Sequence, residues 1–161
     1  MMTKQIEDYI RENLKGKLQI TALEFIAFLR KKNICFYKDN SFCWKNKIYY
    51  WIKFKNECIA FIAIKDPDEP ENLWTIWFDD SKEYATENLE NDIKMAAWKH
   101  IDFCRHCGSC SGGRRKNIFG KDFHDVCGCT FRMDNAVQED LPFLKTMVDL
   151  RIKEKDCKCY E

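Results

Sequence analysis

The chain has 161 residues and a formal net charge of +1, a size that fits one folded domain around one hydrophobic core. Hydrophobic residues make up 45% of the chain, which is too large a share for an intrinsically disordered protein. The near-neutral charge argues against a dedicated nucleic-acid-binding arm or an acidic tail, but it is compatible with a local basic patch.

No targeting or membrane-spanning segment is recognisable in the sequence. The first residues run directly into an amphipathic helix pattern without an apolar signal core. The longest apolar run, residues 58–64, is far too short to cross a bilayer. We therefore expect a cytoplasmic protein with no membrane partner. In a reducing compartment its ten cysteines indicate metal ligands or free thiols in preference to disulfides.

Two helices and a meander are predicted in the first half of the chain. Apolar residues recur at helical spacing from Ile6 to Leu14 and again from Leu18 to Leu29, and Gly16 separates the two stripes. Runs rich in β-branched and aromatic residues follow, separated by short polar segments that are typical of turns. These runs predict antiparallel strands over residues 34–38, 41–44, 48–54, 57–64 and 73–78.

The second half of the chain is predicted to return to helices. Apolar spacing between Leu89 and Ile101 indicates a third helix, with Cys104 emerging at its end. A last helix is predicted to begin near Asp140, because Pro142 is tolerated only in a first helical turn.

These elements predict a single α+β domain over residues 1–161, with an antiparallel β-meander sheet flanked by N-terminal and C-terminal helices. The predicted parts are helices and sheet at 1–103, a metal-braced cysteine-rich loop at 104–129 and a C-terminal helix at 139–153.

The strongest chemical signal is a cluster of cysteines. Cys104, Cys107 and Cys110 form two overlapping C-x-x-C pairs, and a C-x-C pair, Cys127 and Cys129, follows after a gap of sixteen residues. A two-residue spacer lets two thiolates face one ion, and a structural zinc site takes four ligands from two such segments. We therefore predict zinc bound by Cys104, Cys107, Cys110 and Cys127, with Cys129 as the alternative fourth ligand.

Other interpretations of the cysteines stay open. Three cysteines at this spacing with a distant fourth also fit a [4Fe–4S] cluster, but the C-x₃-C-P ending of bacterial ferredoxins is absent, so we favour zinc. His106 and His124 are weaker ligand candidates. Ordinary free cysteines are the plainest alternative, and the interleaved glycines argue against it because they suit a loop that wraps an ion. An all-thiolate shell favours a structural or sensing role over hydrolysis.

A short basic stretch lies between the two cysteine groups. Arg114, Arg115 and Lys116 precede Phe119, and such residues can contact phosphate and stack a base. The alternative is a solvated loop whose charges offset those of the thiolates. We favour this alternative because the net charge of the chain is close to zero.

Aromatic residues are concentrated in the predicted strands and fall on both faces of the sheet. Strand alternation places Trp74 and Trp77 on opposite faces. One face is therefore expected to line a ligand pocket, although helices or a protein partner could equally cover it. The candidate ligand-binding residues are Trp44, Tyr49, Trp51, Glu57, Trp74 and Trp77.

Catalysis is poorly supported. The chain has three histidines and lacks a nucleophile elbow, a P-loop and a GxGxxG motif. We predict a non-catalytic, zinc-binding protein that also binds a small molecule or a protein partner, in a role that could be regulatory. The alternatives are an iron–sulfur redox or metal-sensing protein and a nucleic-acid-binding accessory protein.

The second half of the chain carries a resemblance. Residues 114–127 (RRKNIFGKDFHDVC) and 130–132 (TFR) resemble a group of small uncharacterised bacterial proteins of clostridial type. The resemblance covers most of the chain and implies an α+β domain with a C-terminal cysteine cluster, without an established activity. The helix–meander–helix order also resembles small effector-binding domains of regulators, which is an analogy of fold alone.

Overall fold

The computed structural model describes residues 2–157, except for the side chain of Cys157, and Cys159 therefore lies outside the described residues. The helices are α1 (Ile6–Asn13), α2 (Gly16–Lys31), α3 (Asn91–Lys99) and α4 (Leu141–Cys157). The strands are β1 (Cys35–Lys38), β2 (Ile48–Phe54), β3 (Glu57–Ile64), β4 (Trp74–Phe78), β5 (Ile101–Phe103), β6 (Arg114–Ile118) and β7 (Lys121–Asp134).

The strands form one antiparallel sheet in the order β1-β2-β3-β4-β7-β5, and β6 pairs with β7. The first four strands are a meander, as predicted, and the α+β class with flanking helices is confirmed. The long strand β7 pairs with both β4 and β5 at Phe131, and with both β5 and β6 at Val126. Strands β4 and β6 therefore lie on one side of β7, and β5 lies on the other.

The helices cover one face of the sheet because strand alternation sends every second apolar side chain to that face. Ring contacts join Tyr9 of α1 to Tyr50 of β2, and Phe25 of α2 to Trp74 of β4. The side chains between these layers, including Ile52 and Ile62, are fully buried. Burial of each such side chain stabilises the fold by about 1.5–3 kcal/mol. Among the described residues, no helix is long and apolar enough to span a bilayer.

The strand predicted at residues 41–44 is wrong. The chain forms a short 3-10 helix over Phe42–Trp44, and β1 pairs directly with β2. The Asp39 carboxylate accepts hydrogen bonds from the Ser41 backbone N–H at 2.8 Å and from Trp51 Nε1 at 2.9 Å. These bonds turn the chain away from the sheet, so its aromatic residues here do not form a strand.

The organisation predicted between α3 and α4 also needs correction. Helix α3 ends at Lys99, and β5 lies between the helix and Cys104. Most of the region predicted as a loop, residues 104–129, is the β6–β7 hairpin, which turns at Phe119 and Gly120 with φ angles of 49° and 90°. The cysteine-rich loop is therefore the shorter segment 104–113, which we call the cysteine loop.

Candidate metal centre

The cysteine loop begins and ends beside the same residue of β7. Phe103 and Arg114, which flank the loop, are both register partners of Val126, on opposite sides of the strand. The Cys104 backbone N–H donates a hydrogen bond to the carbonyl oxygen of Asp125 at 2.6 Å. The loop therefore crosses β7 and is attached to the strand where it starts.

Gly113 permits the crossing because it has no side chain. A Cβ atom there would lie 2.6 Å from the Asp125 Cα and 2.9 Å from the Cys104 Cβ, distances shorter than any normal contact. The glycine is thus required by close approach to the backbone of β7.

Three of the predicted ligands share this loop. Cys104, Cys107 and Cys110 line one cavity of about 210 Å³ together with His106. The Cys104 Sγ lies 4.0 Å from His106 Nδ1 and accepts the His106 backbone N–H at 3.4 Å. Hydrogen bonds from Ser109 lower the pKa of the exposed Cys107 thiol, which favours the thiolate form that binds metals.

The C-x-C pair lies in a bulge of β7. The step from Ile101 to Phe103 on β5 is matched by the much longer step from Phe131 to Val126 on β7. The extra residues, 127–130, bulge opposite Asp102, whose side chain is mostly buried.

Burial sets the protonation of the groups around this bulge. It raises the pKa of the Cys129 thiol to about 12, and the neighbouring Cys127 and Asp79 add to the rise. Burial also raises the pKa of Asp102, whereas Arg105 and a hydrogen bond with Cys127 act in the opposite direction. The Cys129 thiol is therefore protonated near neutral pH.

A polar network around Lys116 holds the bulge. Its ammonium group donates to Thr130 Oγ1 at 2.7 Å and to the Cys127 carbonyl oxygen at 3.1 Å, and pairs with Asp80 Oδ1 at 3.1 Å. Thr130 Oγ1 in turn donates to Asp80 Oδ1 at 3.0 Å. Thr130 has a φ of 68°, which is unfavourable for a β-branched residue, and these bonds offset that strain.

The predicted ligands do not converge on one point. Cys104, Cys107 and Cys110 lie in the loop, whereas Cys127 and Cys129 lie in the bulge. No three His, Cys, Asp or Glu side chains of the part of the chain that the structure describes are placed to hold one ion. The five thiols therefore form two sets, three in the cysteine loop and two in the bulge, on backbone segments that adjoin each other.

The basic residues behave differently from one another. Arg114 is exposed, and Arg115 pairs with Asp122 at 3.5 Å. Lys116 is 11% exposed, and its donors point into the bulge network. A phosphate or nucleic-acid contact stays a prediction for the two arginines, whereas Lys116 already has internal partners.

Four predicted ligand-binding residues meet on the face of the sheet opposite the helices. Trp44 stacks on Tyr49, and Tyr49 lies 6.1 Å from Trp77 between ring centroids. Trp51 packs edge-on against Phe61, its register partner on β3, at 5.0 Å. We call this set, the five residues Trp44, Tyr49, Trp51, Phe61 and Trp77, the aromatic face.

Two other predicted residues lie elsewhere. Trp74 belongs to the helix-covered face, where it is 1% exposed and its Nε1 donates to the Ala136 carbonyl at 3.2 Å. Glu57 pairs with Lys155 of α4 at 2.7 Å. Phe61 and Arg132 were not among the predicted ligand-binding residues. Alternation along β3 places Phe61 on this face, whereas the position of Arg132 depends on the pairing of β4 with β7.

Comparison of the chain with protein-family models, with curated proteins and with solved structures finds no match in any of the three.

Proposed function

We propose that this is a non-catalytic zinc-binding protein in which one structural ion joins the cysteine loop to the bulge of β7. The observation that carries the proposal is the shared cavity of Cys104, Cys107 and Cys110, attached through the Cys104–Asp125 hydrogen bond to the strand that carries Cys127. The proposed ligands are these three cysteines and Cys127, with Cys129 as the substitute.

The donor set suits zinc chemically. Thiolates are the ligands of structural zinc sites, and each thiol releases its proton when it binds the ion. The cysteine loop contains Gly108 and Gly112 with φ angles of 80° and 108°, which gives its backbone the freedom to draw the thiols together. The four thiolates would then complete the tetrahedral coordination of one zinc ion.

A structural ion would stabilise a loop that has few other stabilising contacts. Cys107 and Cys110 are exposed, and the segment contributes no large apolar side chain to the core. Zinc binding supplies folding free energy directly, on the order of 10 kcal/mol for structural sites. We infer that the ion orders the loop and fixes it across β7.

Elemental analysis of anaerobically purified protein tests the proposal. We expect one zinc per chain and no absorbance near ~400 nm, where an iron–sulfur cluster would absorb. Iron with that absorbance would favour the [4Fe–4S] alternative, and a metal-free protein that takes up neither metal would refute both.

Single Cys→Ser variants then identify the ligands. C104S, C107S, C110S and C127S should each lose most of the bound zinc. C35S is the matched control, because its thiol is exposed and lies on β1, at the edge of the sheet opposite β5 and the cysteine loop. If C129S loses zinc and C127S does not, Cys129 is the fourth ligand.

A further inference from the structure

The aromatic face has Tyr49 at its centre. The Tyr49 ring lies 3.9 Å from Trp44 at an interplanar angle of 11°, and 6.0 Å from Phe61 at 16°. Trp77 closes a third side at 6.1 Å. Tyr49 is only 9% exposed, so almost all of its surface is covered by these neighbouring rings and the sheet beneath it.

Trp44 covers Tyr49 from outside the sheet. It belongs to the short 3-10 helix between β1 and β2, in which Phe42 is 95% exposed. The Trp44 and Tyr49 rings stack nearly parallel, one of the arrangements that aromatic pairs favour in proteins. The flat face of the Tyr49 ring is therefore covered by the Trp44 indole, which belongs to the segment that connects β1 to β2.

Cations are already bound by the outer rings of this face. Lys47 lies 5.0 Å from the Trp44 ring, Lys53 lies 5.7 Å from Trp51, and Arg132 lies 5.1 Å from Trp77. Within residues 2–157, no Lys or Arg lies over the central rings of Tyr49 and Phe61. The electron-rich faces of these rings are the kind of surface that attracts cations.

The charged groups around the face leave an excess of negative charge. Lys47 is shared by two carboxylates, Asp66 at 3.1 Å and Asp68 at 2.6 Å. Arg132 also pairs with two, Asp134 at 3.1 Å and Glu69, and Glu69 is shared with Arg105 at 3.7 Å.

Two further acids act on the centre of the face. Asp39 lies beside Trp51, and Asp79 follows β4. Burial raises the pKa of Tyr49, and Asp39 and Asp79 are among the acidic groups that raise it further. A ligand at this centre therefore meets a negative potential, which disfavours an anion such as a nucleic-acid strand.

We propose that Tyr49, Phe61 and Trp77 form a binding site for a planar aromatic cation, which stacks on Tyr49 in place of the Trp44 indole. The flat ring surface selects a planar ligand, and the aromatic and acidic surroundings select positive charge. Trp44 acts as an internal competitor that shields Tyr49 from water when no ligand is bound. The site shares none of the proposed zinc ligands, although Cys129, the alternative fourth ligand, acts electrostatically on Tyr49.

Isothermal titration calorimetry with a matched pair of probes tests the proposal on the full chain. N-methylquinolinium is a planar cation, quinoline is its neutral analogue at roughly pH 8, and 1-naphthalenesulfonate is a planar anion. We expect N-methylquinolinium to bind at least about tenfold more tightly than quinoline, the size of a cation–π contribution. The anion should give no saturable binding.

Variants of the face locate the site. Trp44→Ala removes the competitor and should tighten binding of N-methylquinolinium several-fold, whereas Tyr49→Leu should abolish it. Phe42→Ala is the control, because Phe42 lies in the same 3-10 helix at 95% exposure and should leave the affinity unchanged. Trp77→Leu replaces Tyr49→Leu if the latter does not fold, and should weaken binding about tenfold.

Several results would overturn the proposal. If N-methylquinolinium shows no saturable binding, the proposed site does not exist. If quinoline binds equally well, the site does not select for positive charge. Unchanged or weaker binding in Trp44→Ala contradicts the replacement of the indole. Weaker binding in Phe42→Ala would mean that the probe binds the exposed 3-10 helix and not Tyr49.

Discussion

The ammonium group of Lys116 donates a hydrogen bond of 3.1 Å to the carbonyl oxygen of Cys127. Lys116 lies on β6, and Cys127 begins the bulge of the neighbouring strand β7. The same ammonium group also binds Thr130 and Asp80, so its donors are directed at the backbone and side chains that shape the bulge. Lys116 is therefore a positioning residue for the C-x-C pair in the proposed metal centre.

Substitution of Lys116 by Met should disturb both the fold and the metal centre. It leaves the Cys127 carbonyl without a donor beside the mostly buried Lys116 position, which costs about 1–2 kcal/mol of unfolding free energy, whereas Asp80 is 44% exposed and can be hydrated. Loss of such a supporting contact should also weaken zinc binding roughly tenfold or more. Urea denaturation and competition with a zinc chelator measure the two effects.

The control for this variant is Arg115→Met on the same strand. Arg115 is exposed and pairs with Asp122 at 3.5 Å, so its removal should change the unfolding free energy by less than about 0.5 kcal/mol. Equal effects of the two substitutions on zinc affinity would show that Lys116 has no particular role at the bulge.

Substitution of Gly113 by Ala tests the crossing of the cysteine loop over β7. The new Cβ would lie 2.6 Å from the Asp125 Cα, so the loop or the strand has to move, at a cost of about 1–3 kcal/mol. Gly128→Ala is the matched control between the two bulge cysteines, because a Cβ there has no neighbour within 4 Å. Thermal unfolding of both variants measures the difference, and an unperturbed Gly113→Ala protein would contradict this loop path.

The sequence predicted the elements whose signal is local. Helices α1, α2 and α4 and strands β2, β3 and β4 follow regular spacing of apolar residues, which depends on neighbours a few positions away. Strand β7 has no such regularity, because Asp125 and Thr130 adopt φ angles of 56° and 68° and each interrupts the alternation of faces. A search for a two-residue period could not find it.

The candidate site was predictable in composition and not in geometry. Cysteine spacing identified the thiols, but the attachment of Cys104 to Asp125 and the partners of Lys116 arise from pairings between distant parts of the chain. The same limit applies to the prediction that Trp74 binds a ligand. Alternation places Trp74 and Trp77 on opposite faces of the sheet but does not show which face the helices cover. That choice depends on the packing of α2, where Phe25 meets Trp74 at 6.4 Å.

The two tryptophans of β4 should differ in their contribution to stability. Trp74 is 1% exposed and hydrogen-bonded to Ala136, so Trp74→Ala should cost about 3–5 kcal/mol of unfolding free energy. Trp77 lies on the aromatic face and is only half-buried, so Trp77→Ala should cost about 1–2 kcal/mol, in proportion to the smaller area it buries. Chemical denaturation compares them, and an equal or larger loss for Trp77 would contradict the assignment of faces.

The pH dependence of stability should contain a contribution from His100. Its ring stacks on Phe143 at 5.9 Å, and burial lowers its pKa below the ordinary value of 6.5, with Lys99 adding to the effect and Asp140 opposing it. Because the unfolded chain then binds a proton more readily than the folded one, the unfolding free energy falls as the pH drops from about 6.5 towards the lower folded value. Above that window His100 is neutral in both states and contributes no slope.

The variant His100→Gln should therefore lose less stability than the wild type between about pH 7.5 and pH 5.5. Protonation of the thiols changes zinc binding in both proteins over the same range, so the difference between them isolates His100. His124→Gln, at an exposed position on β7, is the control for removal of a histidine elsewhere in the chain. Parallel curves for His100→Gln and the wild type would mean that His100 takes up its proton equally well in the folded and unfolded chains.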